Sequence, residues 1–285
     1  MKKGSLVFLT ENNRGELVLN PENKIKNKEK KETTIEEVTN LKDLRRKLIT
    51  SYIEGYDTIK ITSKNLKNTD RIRFFINSLI SLEIVETTET KIIVKDLLDF
   101  KEININKQIK RIDLLIRNIF EDSKISHQEK NYEEIYNTDY EVTKLTYLGQ
   151  RILRKCLHNP NLTKDVKIEP EELINLWELY RSLNTISHLI KNISKTLNKT
   201  GKSENFEEIL EIYTKIQTEY HNVMNAYYKN NKKIAHEIDA RKDKILRECD
   251  DLIDKVQNPK KTSILENMKN IELSIKNICK SVQNK

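Results

Sequence analysis

The sequence predicts a mainly α-helical protein, in which a tandem three-helix bundle follows a β-hairpin and a small α+β unit. Apolar residues recur at spacings of three and four from Ile103 to the C-terminus, as expected for helices that bury one face. Only 5 glycines and 4 prolines occur among 285 residues, which is too few for the many turns of a β-sandwich or barrel. These two observations exclude an all-β fold.

Residues 1–33 are predicted to form a β-hairpin and a charged linker. Two β-rich runs, residues 5–9 and 16–19, flank Asn12-Asn13-Arg14-Gly15, whose residue types tolerate positive φ. The run Lys24–Lys31 is highly charged and predicts an exposed linker. An isolated two-stranded hairpin is only marginally stable in water. We therefore expect the hairpin to find a partner in a second copy of the chain, so that the protein is a homodimer.

Residues 34–101 alternate between two periodicities and predict the α+β unit. A helical stripe from Leu41 to Tyr52 stops at Gly55, a suitable residue for a helix C-terminus. The period of two in Asp57–Thr62 predicts a strand, and Arg71–Leu82 has the pattern of a helix. Finally, two β-branched runs, residues 83–86 and 91–95, predict a second hairpin around residues 87–90.

Residues 102–285 predict six helices of roughly 20 to 30 residues each, grouped in two repeats of three (residues 102–199 and 203–285). The stretches 135–145 and 235–245 align at an offset of 100 residues, and they share Asp139 with Asp239 and Lys144 with Lys244. The stripes of apolar residues on these helices have the spacing of antiparallel bundle helices. Trp177 lies on such a stripe, so we expect it in the core.

Several functional classes are excluded by what the sequence lacks. No stretch approaches the ~20 apolar residues that a membrane-spanning helix needs, and the basic N-terminus meets Glu11 before an adequate apolar region forms, so no signal peptide is predicted. Three distant cysteines form neither a disulfide framework nor a CxxC pair. No nucleophile elbow or glycine-rich phosphate loop occurs. We therefore expect a cytoplasmic protein that is not an enzyme.

The net charge of +8 is weak support for nucleic-acid binding. Of the 52 basic residues, 40 are lysine and 12 are arginine, whereas side chains that read bases are preferentially arginine. Lysine, asparagine and isoleucine are abundant throughout, as AT-rich codons produce. Tyr227-Tyr228, followed by several lysines, could stack on a base, but a corner at the end of the bundle accounts for the same pattern.

Four segments of the chain are informative when they are taken together. Three of them are LRRKLITSYIEGYDTIKI (44–61), LISLEIVETTETKIIVKDLLD (79–99) and TDYEVTKLTYLGQRILRKCL (138–157), and these resemble archaeal members of the PhoU family of phosphate-uptake regulators. The fourth, KKGSLVFLTENNRGELVLNPE (2–22), is similar to the second half of an AbrB-type swapped hairpin. The resemblance covers nearly the whole chain and implies a PhoU-like double bundle.

The PhoU resemblance implies metal sites built from E/D-x-x-x-D pairs, which place two carboxylates on one helix face. In the first repeat Asp139 is present, but Thr143 occupies its partner position, and Asn184 and His188 replace the acids of the third helix. In the second repeat Asp239 and Asp243 are both present, with His236 three residues before Asp239 as a third ligand. Lys269 and Leu273 stand where the last acids belong. The expected cofactor is iron, zinc or another divalent metal at this degenerate site.

The same resemblance implies a non-enzymatic regulator that docks on components of a phosphate ABC transporter or on a signalling protein through its bundle. A second interpretation is a transcriptional regulator that binds DNA through its AbrB-like segment, although that segment lacks the leading half from which most DNA contacts come. A third is a helical scaffold that binds neither metal nor DNA.

Overall fold

The computed structural model describes residues 7–11, 17–21, 31–36, 40–64, 69–129, 131–159, 161–200, 205–256 and 258–284. Strands β1 (Val7–Glu11) and β2 (Leu17–Pro21) pair antiparallel, with Leu9 opposite Leu19. The turn that the sequence predicts at residues 12–15 and residues 24–30 of the predicted charged linker lie outside the described residues. The hairpin that the alternating apolar residues predict is therefore present.

A four-stranded sheet with the order β3-β4-β6-β5 forms the centre of the α+β unit. Its strands are β3 (Glu32–Ile35), β4 (Thr58–Thr62), β5 (Leu82–Thr87) and β6 (Lys91–Asp96). Strand β3 lies parallel to β4, and the other neighbours are antiparallel. The sequence predicts three of these strands. It does not predict β3, which extends across the boundary placed between residues 33 and 34.

Helices α1 (Leu41–Ile53) and α2 (Thr69–Asn77) cover one face of this sheet. The Asn40 side chain accepts a hydrogen bond of 2.8 Å from the backbone N–H of Lys42 and so caps the start of α1. Gly55 has a φ of 84°, which glycine adopts at little cost, and α1 ends there as predicted. The helices and strands share one buried core, which includes Leu44, Leu48, Tyr52, Ile59, Ile61, Ile72, Ile76, Ile92 and Val94.

Helix α2 ends at Asn77, whereas the apolar pattern predicts a helix that continues to Leu82. Ser81 has a φ of 72° and turns the chain back, so that Leu82 becomes the first residue of β5. Leu79 and Leu82 are both buried, as the pattern requires. The apolar spacing is thus the same for a helix and for a short turn that leads into a strand, which is why the prediction is wrong at this point.

Six long helices follow, as the periodicity predicts, in two groups of three. They are α3 (Ile105–Glu129), α4 (Tyr132–His158), α6 (Glu172–Thr200), α7 (Phe206–Lys229), α8 (Lys232–Lys255) and α9 (Pro259–Gln283), with a short helix α5 (Asn161–Val166) between α4 and α6. Helices α3, α4 and α6 pack on one another, as do α7, α8 and α9. None of the helices that the structure describes is long and apolar enough to cross a bilayer.

The two groups of helices share one continuous hydrophobic core. Helix α6 packs along α9, and α3 contacts α7. Trp177 is partly buried against this core, consistent with the position that its stripe predicts. Tyr227 is buried, and the hydroxyl of Tyr228 donates a hydrogen bond of 2.9 Å to Asp113 of α3. The tyrosine pair therefore joins the two groups of helices.

The α+β unit is attached to the bundle through helix α4. Arg151 of α4 donates hydrogen bonds to the carbonyl oxygens of Tyr52 and Tyr56 and to the carboxylate of Asp96. Lys155, one turn later, forms ion pairs of 2.9 Å with Asp96 and 2.5 Å with Asp57. Because these contacts join residues 55 to 99 positions apart, the packing of α4 fixes where the small unit lies.

Candidate functional site

Asp139 lies on α4 and is buried between α4 and α6. One carboxylate oxygen accepts hydrogen bonds from Ser187 Oγ at 2.8 Å and His188 Nδ1 at 2.6 Å. The other oxygen lies 2.6 Å from the ammonium nitrogen of Lys191. Ser187, His188 and Lys191 occupy one face of α6, since residues three and four positions apart are neighbours on a helix. The packing of α4 on α6 therefore brings three donors to one carboxylate.

The environment of Asp139 keeps its carboxylate charged. Burial alone would raise the pKa of Asp139, but hydrogen bonds from His188 and Lys191 and the charges near it hold that pKa below the usual value. A buried carboxylate that is both paired with an ammonium group and hydrogen-bonded can remain ionised in the interior. Asp139 is therefore an anion at neutral pH, compensated by residues of α6.

Two further polar residues extend this cluster towards solvent. The Nε2 atom of His188 lies 3.4 Å from the amide nitrogen of Asn184, and the Asn184 oxygen accepts a hydrogen bond of 3.1 Å from Thr143. The two ring nitrogens of His188 thus contact different groups, Nδ1 the carboxylate of Asp139 and Nε2 the amide of Asn184. The side chain of His188 is 40% exposed. We call these six residues, Asp139, Thr143, Asn184, Ser187, His188 and Lys191, the α4–α6 polar cluster.

Tyrosine side chains border the α4–α6 polar cluster on its exposed side. The ring of Tyr136 lies 5.7 Å from the Lys191 ammonium, within the range of a cation–π contact. Tyr136 is 50% exposed, and its ring centroid is 6.3 Å from that of Tyr132. This face of the bundle thus combines an aromatic surface with a half-exposed histidine.

The α4–α6 polar cluster does not fit a divalent metal ion. Both oxygens of Asp139 are already engaged, and the Lys191 ammonium group occupies the position next to the carboxylate that a cation would need. A second positive ion at that distance would be strongly repelled in this buried position. Across the part of the chain that the structure describes, no three histidine, cysteine, aspartate or glutamate side chains group in a way that could hold a metal.

The three candidate ligands in the second repeat contact different groups. His236 is exposed, and its Nδ1 atom lies 3.2 Å from the amide nitrogen of Gln283. Asp243 is exposed and lies 3.2 Å from the ammonium of Lys242. Asp239 is half-buried, and its Oδ1 atom has no hydrogen-bond partner. The spacing places Asp239 and Asp243 on one helix, but among the residues that the structure describes no third acidic or imidazole ligand joins them.

Lys269 and Leu273 stand at the positions where the PhoU resemblance implies the last acids. Lys269 of α9 forms ion pairs with Asp250 at 2.6 Å and with Glu266 at 3.4 Å, and Leu273 is partly exposed. The PhoU resemblance directs attention to these two positions. It does not point to Glu272, which is the buried acidic side chain of this helix.

Sequence reasoning identifies Asp139, Thr143, Asn184 and His188, and the structure brings these four residues together. It does not identify Ser187 or Lys191. The spacing could have found Lys191, because this residue follows His188 by three positions and so lies on the same helix face. A lysine on a bundle helix is, however, usually solvated, and nothing in the local sequence indicates that Asp139 faces it.

No protein-family model and no curated protein matches the sequence of this chain.

Proposed function

We propose that this protein is a non-enzymatic, PhoU-like regulator of phosphate uptake that docks through its helical bundle on a phosphate ABC transporter component or signalling protein. The proposal rests on the sequence resemblance and on the packing of six helices in two groups of three. It adds that docking needs no bound metal, because the Lys191 ammonium group provides the positive partner of Asp139.

The observation that carries the proposal is the α4–α6 polar cluster with its tyrosine border. A metal ion in a protein is bound by carboxylate, imidazole or thiolate groups, whereas here the buried carboxylate is already engaged by Ser187, His188 and Lys191. On its exposed side, the cluster presents the imidazole of His188, and the ring of Tyr136 borders it there. Tyrosine is enriched in protein–protein interfaces because it combines a large apolar surface with a hydroxyl group. The face therefore suits a protein partner.

Affinity capture with the full chain as bait, from lysate with and without nuclease, tests this proposal. We expect a transporter ATPase, a membrane subunit of the transporter or a signalling protein to be retained after nuclease treatment. The variants Tyr136→Ala and His188→Ala should each weaken the capture at least tenfold, a loss typical of a residue at the centre of an interface. Phe74→Ala is the matched control, since Phe74 is 63% exposed on the α+β unit and its removal should leave capture unchanged.

The cellular counterpart is phosphate uptake in cells that lack the gene. Uptake of labelled phosphate should rise when phosphate is plentiful, and the unchanged chain but not Tyr136→Ala should restore the lower rate. Two results would contradict the proposal: capture that Phe74→Ala reduces as much as Tyr136→Ala, or retention of DNA alone. In the latter case, DNA affinity that falls steeply with salt would favour the transcriptional interpretation.

A further inference from the structure

Glu272 is a buried acidic residue of α9 that plays no part in the α4–α6 polar cluster. It is 1% exposed, and its Oε2 atom has no hydrogen-bond partner. The neighbouring Ile271 and Ile275 are completely buried, so Glu272 lies on the face of α9 that packs into the bundle. Burial of a carboxylate without a complete set of partners is costly, and such a residue calls for an explanation.

The acidic residue that acts most strongly on Glu272 is Glu219, and this residue is already paired with a guanidinium. Glu219 of α7, which is also buried, accepts two hydrogen bonds from Arg241 of α8, from Nε at 2.9 Å and from Nη2 at 3.0 Å. This bidentate geometry uses the fork of the arginine side chain for one carboxylate. Arg241 acts on Glu272 only through its charge, because both of these hydrogen bonds go to Glu219.

The positive charges that act on Glu272 compensate it only in part. Lys242 of α8 acts on it electrostatically, but its ammonium lies 3.2 Å from Asp243. Helix α6 also packs against α9, but none of its described charged residues shifts the pKa of Glu272. Cys249 and Cys279 lie in the same region, and burial raises the pKa of each thiol to about 12, so both are neutral. The cluster therefore favours a neutral Glu272.

We propose that Glu272, acted on by Glu219 and Arg241, is a proton-dependent latch: α9 packs fully against α7 and α8 only while Glu272 is neutral, and loss of its proton to solvent loosens this packing. When the carboxylic acid releases its proton, a second negative charge appears beside Glu219, and Arg241 cannot pair with both. The bundle then reduces the repulsion by opening towards water. The latch belongs to the second group of helices and is independent of the docking face on α4 and α6.

The direction of the pKa shift agrees with this geometry. Burial is the main cause, and the negative charge of Glu219 adds to it, raising the pKa of Glu272 to about 8. The folded protein therefore binds a proton that the unfolded chain has already released above its ordinary pKa of about 4.3. The equilibrium constant for unfolding should rise by about 10- to 100-fold between pH 6 and pH 9 on account of this one group.

Unfolding of the full chain at pH 6 and pH 9, compared with that of Glu272→Gln, tests the latch. The variant keeps the shape of the side chain but cannot ionise, so the 10- to 100-fold rise should be absent from it. Glu266→Gln is the matched control, since Glu266 is an exposed glutamate of the same helix. Amide hydrogen exchange, corrected for the intrinsic effect of pH, should show faster exchange in α9 at pH 9 in the unchanged chain only.

A second variant separates the latch from simple burial of an acid. In Glu219→Gln the guanidinium of Arg241 is free to pair with Glu272, so the pH dependence should shrink at least threefold. If Glu219→Gln keeps the full pH dependence, the shared-arginine mechanism is wrong. If Glu272→Gln and the unchanged chain respond equally to pH, the latch itself is wrong.

Discussion

Arg151 is the residue on which the attachment of the α+β unit depends most. It is 0% exposed, and its guanidinium hydrogen-bonds to two carbonyl oxygens of the small unit and to Asp96. The guanidinium carbon also lies 4.7 Å from the centre of the Tyr52 ring. An arginine is almost never fully buried unless it is paired, and here its partners come from a different unit of the protein.

We expect Arg151→Ala to lower the free energy of unfolding by about 3–5 kcal/mol, because the change leaves Asp96 buried with only part of its positive compensation. Urea unfolding of both proteins measures this difference. Arg154→Ala is the control, since Arg154 is an exposed residue of the same helix and its loss should cost less than about 0.5 kcal/mol. Equal effects of the two variants would show that the buried pairing of Arg151 has no special importance.

The residue scale is also where sequence reasoning reaches its limit. The sequence does predict the apolar stripe of α4, but it cannot tell that Arg151 points into the protein or that Lys191 faces Asp139. Both facts depend on contacts between residues about 50 to 100 positions apart. Local periodicity reports which face of a helix is apolar, but it does not report which charged side chains meet across the interface.

At the scale of elements, the close approach of α4 and α6 depends on one glycine. A Cβ atom at Gly149 would lie 2.3 Å from the ring of Tyr180, which is closer than any real contact allows. The Tyr180 hydroxyl donates a hydrogen bond of 2.7 Å to Gln108 of α3, and Gln108 donates one of 2.8 Å to the carbonyl oxygen of Leu145 in α4. The ring is thus fixed by all three helices and cannot easily move aside.

Gly149→Ala should therefore destabilise the protein by about 1–3 kcal/mol, the usual cost of overpacking, although alanine favours a helix more than glycine does. Thermal or urea unfolding provides the measurement. In the background Tyr180→Leu, which removes the ring, the same change should cost nothing or become stabilising. An equal cost in both backgrounds would mean that the contact with Tyr180 is not the cause.

The elements differ in how well the sequence predicts them. The six long helices follow from apolar spacing, since each carries a stripe over many turns. Strand β3 is missed because Glu32–Ile35 is short, carries few apolar residues and adjoins a charged run. Its pairing with β4 is parallel and joins residues 26 positions apart, as with Glu32 and Thr58. No local signal encodes such a pairing.

At the scale of the whole molecule, buried carboxylates hold its parts together. Asp96 joins the α+β unit to α4, Asp139 joins α4 to α6, and Asp113 joins α3 to α7 through Tyr220 and Tyr228. Each of these carboxylates receives several hydrogen bonds in the folded chain and loses them on unfolding. The stability of the assembly should therefore depend on the protonation of Asp96 and Asp139, whose pKa values are both lowered in the folded chain.

Below neutral pH, Asp96 and Asp139 determine how the free energy of unfolding is expected to change with pH. Burial alone would raise the pKa of each, but the charges and hydrogen bonds of Arg151 and Lys155, or of His188 and Lys191, hold both below the usual value. A lowered folded pKa stabilises the protein fully above the unfolded pKa of about 3.9, and this stabilisation is lost as the pH falls through the lower folded value. Urea unfolding between pH 5 and pH 2.5 should show this loss. Asp139→Asn should make it shallower.

Ionisation of Glu272 lowers the stability of the folded protein, whereas ionisation of Asp96 and Asp139 raises it. Together, these two effects place the pH of greatest stability on the acid side of neutral. Its raised pKa contributes stability that is present at low pH and decreases as the pH rises towards about 8. The unchanged chain should therefore be most stable near pH 5, between the titration of the paired aspartates and that of Glu272. Glu272→Gln should move this maximum towards higher pH, and Asp139→Asn should leave the alkaline limb unchanged. If both variants alter the same limb, the two carboxylates do not act as separate groups.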